Sequence, residues 1–167
     1  MPIIELFVNE GALDESAKQM LHERLPRRVL EAEGADYRSP LARSITWLMI
    51  HELPDGSWST GSDVCAADSP RVLTRVTVPV GAVEGEKRSA IAAGVHEELV
   101  DVLGEEVADP TKNVCLIAQE DFGAGGHVID YQQLTALLTQ NSNGDADGTK
   151  PTRADGLAPL GRQVHGG

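Results

Sequence analysis

Residues 2–12 read Pro-Ile-Ile-Glu-Leu-Phe-Val-Asn-Glu-Gly-Ala, and residues 72–82 repeat their pattern as Val-Leu-Thr-Arg-Val-Thr-Val-Pro-Val-Gly-Ala. Both stretches are rich in apolar and β-branched residues at alternating positions, which predicts half-buried strands. Both end at Gly-Ala, and a helical pattern follows each one. The two patterns lie about 70 residues apart, which is typical of a duplicated unit rather than of a solenoid array.

The two helical patterns differ in regularity. The first extends from Asp14, a candidate N-cap, to about Glu33, and its apolar residues recur every four positions. Those residues are Ala17, Leu21, Leu25 and Val29. Pro26 lies inside this run and removes a backbone donor, so we expect a kink or a helix split in two. The second run, 84–103, carries one apolar stripe and predicts the most regular helix.

A further apolar strand follows each helix, at residues 44–50 and 114–118. The chain therefore predicts an α/β fold of two fused β-α-β units, about 2–62 and 70–131. The two strands of one unit are parallel, so the four strands form a mixed sheet with two helices on one face. The other face is also largely apolar, and we expect further copies of the chain to cover it.

The last part of the chain has a different composition. Apolar periodicity disappears from Gln140 onward, and glycine becomes frequent. We predict one domain over residues 1–139 and a disordered tail over 140–167.

The formal net charge is −12, and residues 1–140 carry all of the excess. Such a surface repels phosphate groups, so we expect neither nucleic acid nor a membrane as a partner. No apolar run approaches the ~20 residues that span a bilayer, and the N-terminus lacks a signal-peptide pattern. Cys65 and Cys115 form neither a disulfide framework nor a zinc pattern. We expect a cytoplasmic protein without a metal or cofactor.

The N-terminus is the first candidate site, because initiator methionine is normally removed when proline follows it. The mature chain would then begin with the secondary amine of Pro2. An α-amino group has a pKa of about 8, and burial in an apolar pocket lowers that pKa toward neutrality, where a general base works best. Proline at position two is common, however, so an ordinary N-terminus is the alternative.

Several short motifs carry a family resemblance. They are Pro2-Ile-Ile, Asn9-Glu-Gly11, Asp14-Glu15 with Lys18, Glu52 with Trp58, Gly81, Glu86-Lys87, Glu120 and Phe122-Gly-Ala-Gly-Gly126. In this order the chain resembles the tautomerase superfamily over residues 2–131. Small members of that superfamily are single β-α-β units similar to 4-oxalocrotonate tautomerase (4-OT). Larger ones are fused, such as macrophage migration inhibitory factor, malonate semialdehyde decarboxylase and cis-3-chloroacrylic acid dehalogenase.

The resemblance implies a cofactor-independent isomerase that assembles as a homotrimer and acts on a small molecule. Pro2 would be the general base or acid that moves a proton on a small carbonyl or enol acid, in a pocket at a subunit boundary. Glu120 matches the carboxylate that activates water in dehalogenase-like members, which makes a hydratase, dehalogenase or decarboxylase the runner-up. A solvated glutamate at a strand end is the alternative for Glu120. A non-catalytic oligomerising domain, or a ferredoxin-like domain, is the alternative for the whole chain.

The aromatic positions of the family are occupied here. Trp58 and Phe122 fall where the resemblance places an aromatic wall of the proline pocket, and core packing is their alternative. An apolar wall would keep the pKa of the amine low by excluding water.

The arginines that the family uses to bind substrate are absent from the equivalent positions of this sequence. Ala12 and Ala82 stand where small tautomerases carry an arginine that binds substrate carboxylate. Arg75 is a candidate substitute, because a guanidinium matches the two oxygens of a carboxylate. Arg75 and Glu5 each lie six residues before the glycine that ends their strand, Gly81 and Gly11. A cross-strand ion pair between them is therefore the alternative role for Arg75. With so little local positive charge, the pattern favours a neutral or singly charged substrate.

Overall fold

The structure, a computed structural model, describes residues 1–65 and 69–144. The elements in chain order are β1 (Ile3–Asn9), α1 (Glu15–Glu33), α2 (Pro40–Ser44), β2 (Trp47–Leu53), β3 (Ser59–Thr60), β4 (Asp63–Val64), β5 (Val72–Pro79), α3 (Glu86–Leu103), a 3-10 turn (Glu105–Ala108), β6 (Asn113–Glu120), β7 (Phe122–Ala124), β8 (His127–Ile129) and α4 (Tyr131–Gly144). They belong to two units, one ending at Glu120 and one beginning at Asp121.

The first unit is built on a four-stranded sheet in the order β2-β1-β5-β6. β1 is parallel to β2 and β5 is parallel to β6, whereas β1 and β5 are antiparallel at the centre. Helix α1 connects the first parallel pair and α3 connects the second. The predicted α/β fold, a mixed sheet made of two β-α-β units, is confirmed.

The core lies between the sheet and the two long helices. Alternate residues of β1 are completely buried, as are the apolar stripes of α1 and α3. These residues are Ile4, Leu6 and Val8 in β1, Leu21, Leu25 and Val29 in α1, and Ile91, Val95 and Leu99 in α3. Burial of each large side chain contributes roughly 1.5–3 kcal/mol, so this layer holds the helices against one face of the sheet.

The two Gly-Ala turns have the same geometry, which supports the internal repeat. Gly11 has a φ of 81° and Gly81 a φ of 85°. The amide of Ala12 donates to the carbonyl of Asn9 at 3.2 Å, and that of Ala82 donates to the carbonyl of Pro79 at 3.0 Å. A side chain is strained at such a φ, which is why both strands end at glycine.

Two elements differ from the sequence prediction. Helix α1 continues through Pro26 without a break. The buried stripe on either side of the proline outweighs the one backbone hydrogen bond that it removes. Strand β2 begins at Trp47, three residues later than predicted, because a short helix precedes it. The hydroxyl of Ser39 caps that helix by accepting from the amide of Ala42 at 3.3 Å, and Pro40 opens its first turn.

The second unit contains the β7–β8 hairpin and α4. The carboxylate of Asp130 caps α4 by accepting from the amides of Gln132 and Gln133 at 2.8 and 3.2 Å. The apolar pattern of the sequence does not predict this helix, although Asp130 is an N-cap residue. Since α4 extends to Gly144, residues 140–144 of the predicted disordered tail are helical. The rest of that tail lies outside the described residues.

An ion network joins α1 to α3. The carboxylate of Glu98 accepts from Arg28 Nε at 2.6 Å and from Arg24 Nη1 at 3.3 Å, and Arg24 also contacts Asp101. The side chain of Glu98 is only 10% exposed. A cleft of about 290 Å³ at this surface is lined by the same charged residues together with Glu97. The paired charges therefore act as a clamp between the two helices.

We expect Glu98→Ala to lower the free energy of unfolding by about 1.5–3 kcal/mol, because it removes the acceptor of two guanidinium groups. The matched control is Glu97→Ala, since Glu97 is 63% exposed and reaches Arg28 only at 3.7 Å. The control should cost less than about 0.5 kcal/mol. Urea unfolding at equal protein concentration measures both values, and equal losses would contradict the clamp.

Candidate active site

Pro2 lies at the start of the central strand β1, and it is buried. Its carbonyl accepts a hydrogen bond from the amide of Trp47 at 3.1 Å, so β2 fixes the beginning of β1. Burial also lowers the pKa of the terminal amine, carried here by Met1, while the charge of Glu33 acts in the opposite direction. The start of β1 is thus a place where a neutral amine is favoured.

Glu33 is the last residue of α1, which returns the chain to the end of the sheet where β1 begins, and its charge acts to raise the pKa of the terminal amine. Glu33 is 7% exposed, and its Oε1 is buried without a hydrogen-bond partner. Burial raises the pKa of its carboxyl group above the ordinary value, and the charges of the terminal amine and Lys87 offset this rise only in part. Lys87, at the start of α3, donates from Nζ to the main-chain oxygen of Glu33 at 2.8 Å.

Sequence reasoning missed Glu33, although a signal was present. The apolar stripe of α1 recurs every four residues, and the next position after Val29 is Glu33. A carboxylate on the buried stripe of a helix is unusual unless it is paired, and so it marks a candidate site.

Glu120 lies at the same end of the sheet as Pro2. Ile3 pairs with Thr77, and two residues further along β5 Pro79 pairs with Glu120. Neighbouring strands are about 4.8 Å apart, so Glu120 is roughly 10 Å from β1 across the sheet. It is exposed. The geometry thus places this carboxylate at the end of the sheet where the terminal amine lies.

Arg75 lies in the middle of the sheet, on the face that the helices do not cover. It pairs in register with Glu5, and its Nη1 donates to Glu5 Oε2 at 3.4 Å. Its guanidinium also lies 5.9 Å from the centre of the Phe7 ring. The cross-strand ion pair is therefore present, and a contact between Arg75 and substrate stays a prediction.

Trp58 lies at the opposite end of the sheet from Pro2. It follows β2, which is parallel to β1, and its carbonyl accepts from the amide of Cys65 at 2.8 Å. The seven residues of β1 separate the two ends, which corresponds to about 20 Å at roughly 3.3 Å per residue. A single chain does not bring Trp58 to Pro2.

The remaining predicted positions add little to the site. Phe122 belongs to the second unit, where it pairs with Ile129 in the hairpin, and its place in the pocket stays a prediction. Ala82, one of the two alanines that replace family arginines, is 1% exposed. Glu52 forms an ion pair with Lys18 at 2.8 Å.

The uncovered face of the sheet carries large exposed apolar side chains. They are Trp47 at 59%, Met49 at 36%, Val114 at 43% and Leu116 at 45% exposure. One row across all four strands runs Met49, Glu5, Arg75, Leu116, so the ion pair is flanked by apolar residues. This pattern is typical of a protein interface.

Within residues 1–65 and 69–144, no helix is long and apolar enough to cross a membrane. No three His, Cys, Asp or Glu side chains in that part of the chain lie where they could hold a metal ion. Both cysteines are free thiols. Burial raises the pKa of the Cys115 thiol to about 11, which makes it a poor nucleophile at neutral pH.

Comparison with known proteins gives structural matches only. No protein-family model matches the chain, and no curated protein matches it either. The structure of Pt0534 inactivated by 2-oxo-3-pentynoate matches with a TM-score of 0.63 and 20% identity, covering 79% of this chain and 98% of that one. A fused 4-OT in an asymmetric trimer matches with a TM-score of 0.61 and 21% identity, covering 80% and 98%.

A member of the cis-3-chloroacrylic acid dehalogenase family matches with a TM-score of 0.63 and 10% identity, covering 84% of this chain and 99% of that one. The chain has the tautomerase-superfamily fold. The resemblance that the sequence motifs carry is confirmed at the level of the fold, over nearly the full length of these three structures.

Proposed function

We propose that the protein is a tautomerase that moves a proton on a small carbonyl or enol acid, with Pro2 as general base and acid after removal of Met1. The observation that carries the proposal is the buried start of β1, where burial lowers the pKa of the terminal amine. Lowering that pKa increases the neutral fraction of the amine, which is the form that accepts a proton as a general base. The fold shared with fused 4-OT structures supports the same assignment.

The reaction needs one proton acceptor that becomes a donor. With an enol substrate, the Pro2 nitrogen takes the proton from the enol hydroxyl as the carbonyl forms. The resulting prolinium then gives a proton to the neighbouring carbon, which restores the neutral amine. Neither electrons nor groups are exchanged with a cofactor, so the amine and a dry pocket are sufficient.

We expect intact-mass measurement to show that Met1 is absent, and Pro2→Ala to lower kcat/KM for ketonisation of phenylenolpyruvate by about 10²-fold. That size is typical for the loss of a general base. The matched control is Pro54→Ala, in the exposed loop after β2, which should leave the rate unchanged. Retention of Met1, or equal rates for the wild type and Pro2→Ala, would contradict the proposed function.

We also propose that the protein is a homotrimer. Its uncovered sheet face is apolar, and a fused 4-OT with the same fold was solved as a trimer. Trp58 and Pro2 belong to opposite ends of a sheet whose strand β1 is about 20 Å long. Trp58 can therefore line a Pro2 pocket only if a neighbouring copy supplies it. Arg75, Trp58 and Phe122 stay our candidates for contact with a neutral or singly charged substrate.

We expect Leu116→Asp to dissociate the trimer, because a carboxylate in an apolar interface loses its hydration without gaining a partner. The control is Ala93→Asp, at an exposed position on α3 away from the sheet. Sedimentation velocity at micromolar concentration measures the mass of each species. A monomeric wild type, or a Leu116→Asp variant that stays trimeric, would show that this face is not the interface.

Water addition is the second candidate activity. Glu120 is exposed at the same end of the sheet as Pro2, and a member of the cis-3-chloroacrylic acid dehalogenase family has the same fold. In such a reaction Glu120 would take a proton from a water molecule while the oxygen of that water bonds to an unsaturated carbon of the substrate. Prolinium would deliver a proton to the adjacent carbon.

We expect Glu120→Gln to lower hydration of an acetylenic or haloalkenoic acid at least about tenfold while ketonisation of phenylenolpyruvate is unchanged. Glu105→Gln, which removes an exposed carboxylate from the 3-10 turn, is the control. Product formation followed by NMR measures both reactions. Equal hydration rates for the wild type and Glu120→Gln would remove Glu120 from the candidate site.

A further inference from the structure

We propose that Glu33 is a positioning residue that sets the proton affinity of the terminal amine, by holding an unpaired carboxylate near the start of β1. In the structure the terminal amine belongs to Met1. Removal of Met1 would transfer it to Pro2, whose Cα lies about 3.8 Å from that of Met1. A role of Glu33 in catalysis rests on the proposed function. The effect of Glu33 on the proton affinity of the terminal amine can be tested whether or not the protein is a tautomerase.

The first support is the missing partner of the Glu33 carboxylate. Oε1 is buried without a hydrogen bond, and among the described residues no ion pair forms with Glu33. Burial of a carboxylate without a partner is costly, and native structures contain few such groups. Because α1 connects the parallel strands β1 and β2, its last residue lies at the end of the sheet where β1 begins. A buried, unpaired Oε1 at that end is explained if the carboxylate interacts with the terminal amine through its charge.

The second support is that the backbone around Glu33 is fixed. Gly34 follows it with a φ of 86°, and its amide donates to the carbonyl of Glu31 at 3.0 Å. The amide of Ala35 donates to the carbonyl of Leu30 at 2.9 Å, which completes the end of the helix. Lys87 donates to the main-chain oxygen of Glu33, and Oε1 of the side chain stays without a hydrogen-bond partner. The carboxylate is therefore attached to a rigid helix end.

The third support is the small number of charges that face Glu33. They are the terminal amine from β1 and Lys87 from α3. The nearest arginines on its own helix are directed elsewhere, since Arg27 pairs with Glu31 and Arg28 with Glu98. Of these two charges the terminal amine has the larger effect on the pKa of Glu33, and two groups that interact strongly are expected to titrate in coupled steps.

The interaction explains how one amine can serve as both base and acid. Burial alone lowers the pKa of the amine and favours the neutral base. The carboxylate of Glu33 raises that pKa again, so that prolinium persists long enough to return a proton. An opposite charge beside a buried amine stabilises its protonated form, so burial and the Glu33 charge act on the amine in opposite directions.

The test is an NMR titration of the terminal amine in protein labelled with ¹⁵N-proline, for the wild type and three variants. We expect Glu33→Gln to move the titration midpoint to lower pH by about one unit, because an opposite charge nearby stabilises the cation. Glu33→Asp keeps the charge and should stay closer to the wild type. Glu31→Gln removes an exposed carboxylate that is already paired with Arg27 and should have no effect.

The pH dependence of kcat/KM for phenylenolpyruvate is the second readout. Its rising limb should shift in Glu33→Gln in the same direction as the NMR midpoint, which a merely structural role of Glu33 would not cause. In the wild type, the ¹³Cδ signal of Glu33 should follow two midpoints, its own and that of the amine. This measurement needs no variant and therefore no assumption about folding.

The outcomes separate the two proposals. An unchanged amine midpoint in folded Glu33→Gln, or a single midpoint for Glu33 in the wild type, overturns the role of Glu33 even if Pro2 proves catalytic. If Met1 is retained, the proposed function fails. The same titration followed on a ¹⁵N-methionine amine then still supports or overturns the effect of Glu33 on the terminal amine.

Discussion

The antiparallel pairing of β1 with β5 is the contact on which the rest of the structure depends. It joins the two β-α-β units into one sheet, and it places the start of each central strand beside the end of the other. The terminal amine therefore lies at the end of the sheet that Glu120 also occupies. The equivalent position in the second unit is Val72, whose amide donates to the carbonyl of Lys112 at 2.7 Å. Duplication thus yields one terminal amine per chain, although the sheet has two similar ends.

The strongly acidic charge is balanced locally by paired cations. Within the described residues, Arg24 and Arg28 are bound by Glu98, Arg75 by Glu5, and Lys18 by Glu52. Because these four cations are already engaged by carboxylates, they are less available to an anionic ligand than free cations would be. This is one reason why our proposed function favours a neutral or singly charged substrate over a dicarboxylate.

The internal repeat made the strands and their register predictable from the sequence. Features that depend on tertiary packing, such as the continuity of α1 and the burial of Glu33, were not predictable in the same way. Spacing from the two glycines predicts that Arg75 faces Glu5, and the register has that pairing. A local rule about proline predicts a kink or a split at Pro26, and the split is wrong, because α1 is one helix with buried residues on both sides of the proline. The distance from Trp58 to Pro2 follows from the parallel direction of β2, which motif order alone does not convey. Glu33 was missed because a carboxylate on an apolar stripe violates the pattern that locates helices.

Two buried glutamates on the long helices show how differently the same side chain can be held. Glu98 is 8% exposed and accepts from two guanidinium groups, so its charge is compensated within the helix pair. Glu33 is 7% exposed, and its Oε1 accepts no hydrogen bond. An unsatisfied buried polar group costs about 1–3 kcal/mol, more when it is charged, and a packed core of Leu, Ile and Val can supply that stability. The unpaired Oε1 of Glu33 thus costs stability that the pairing of Glu98 does not, and our proposal for Glu33 explains that cost as a trade of stability for acid–base activity.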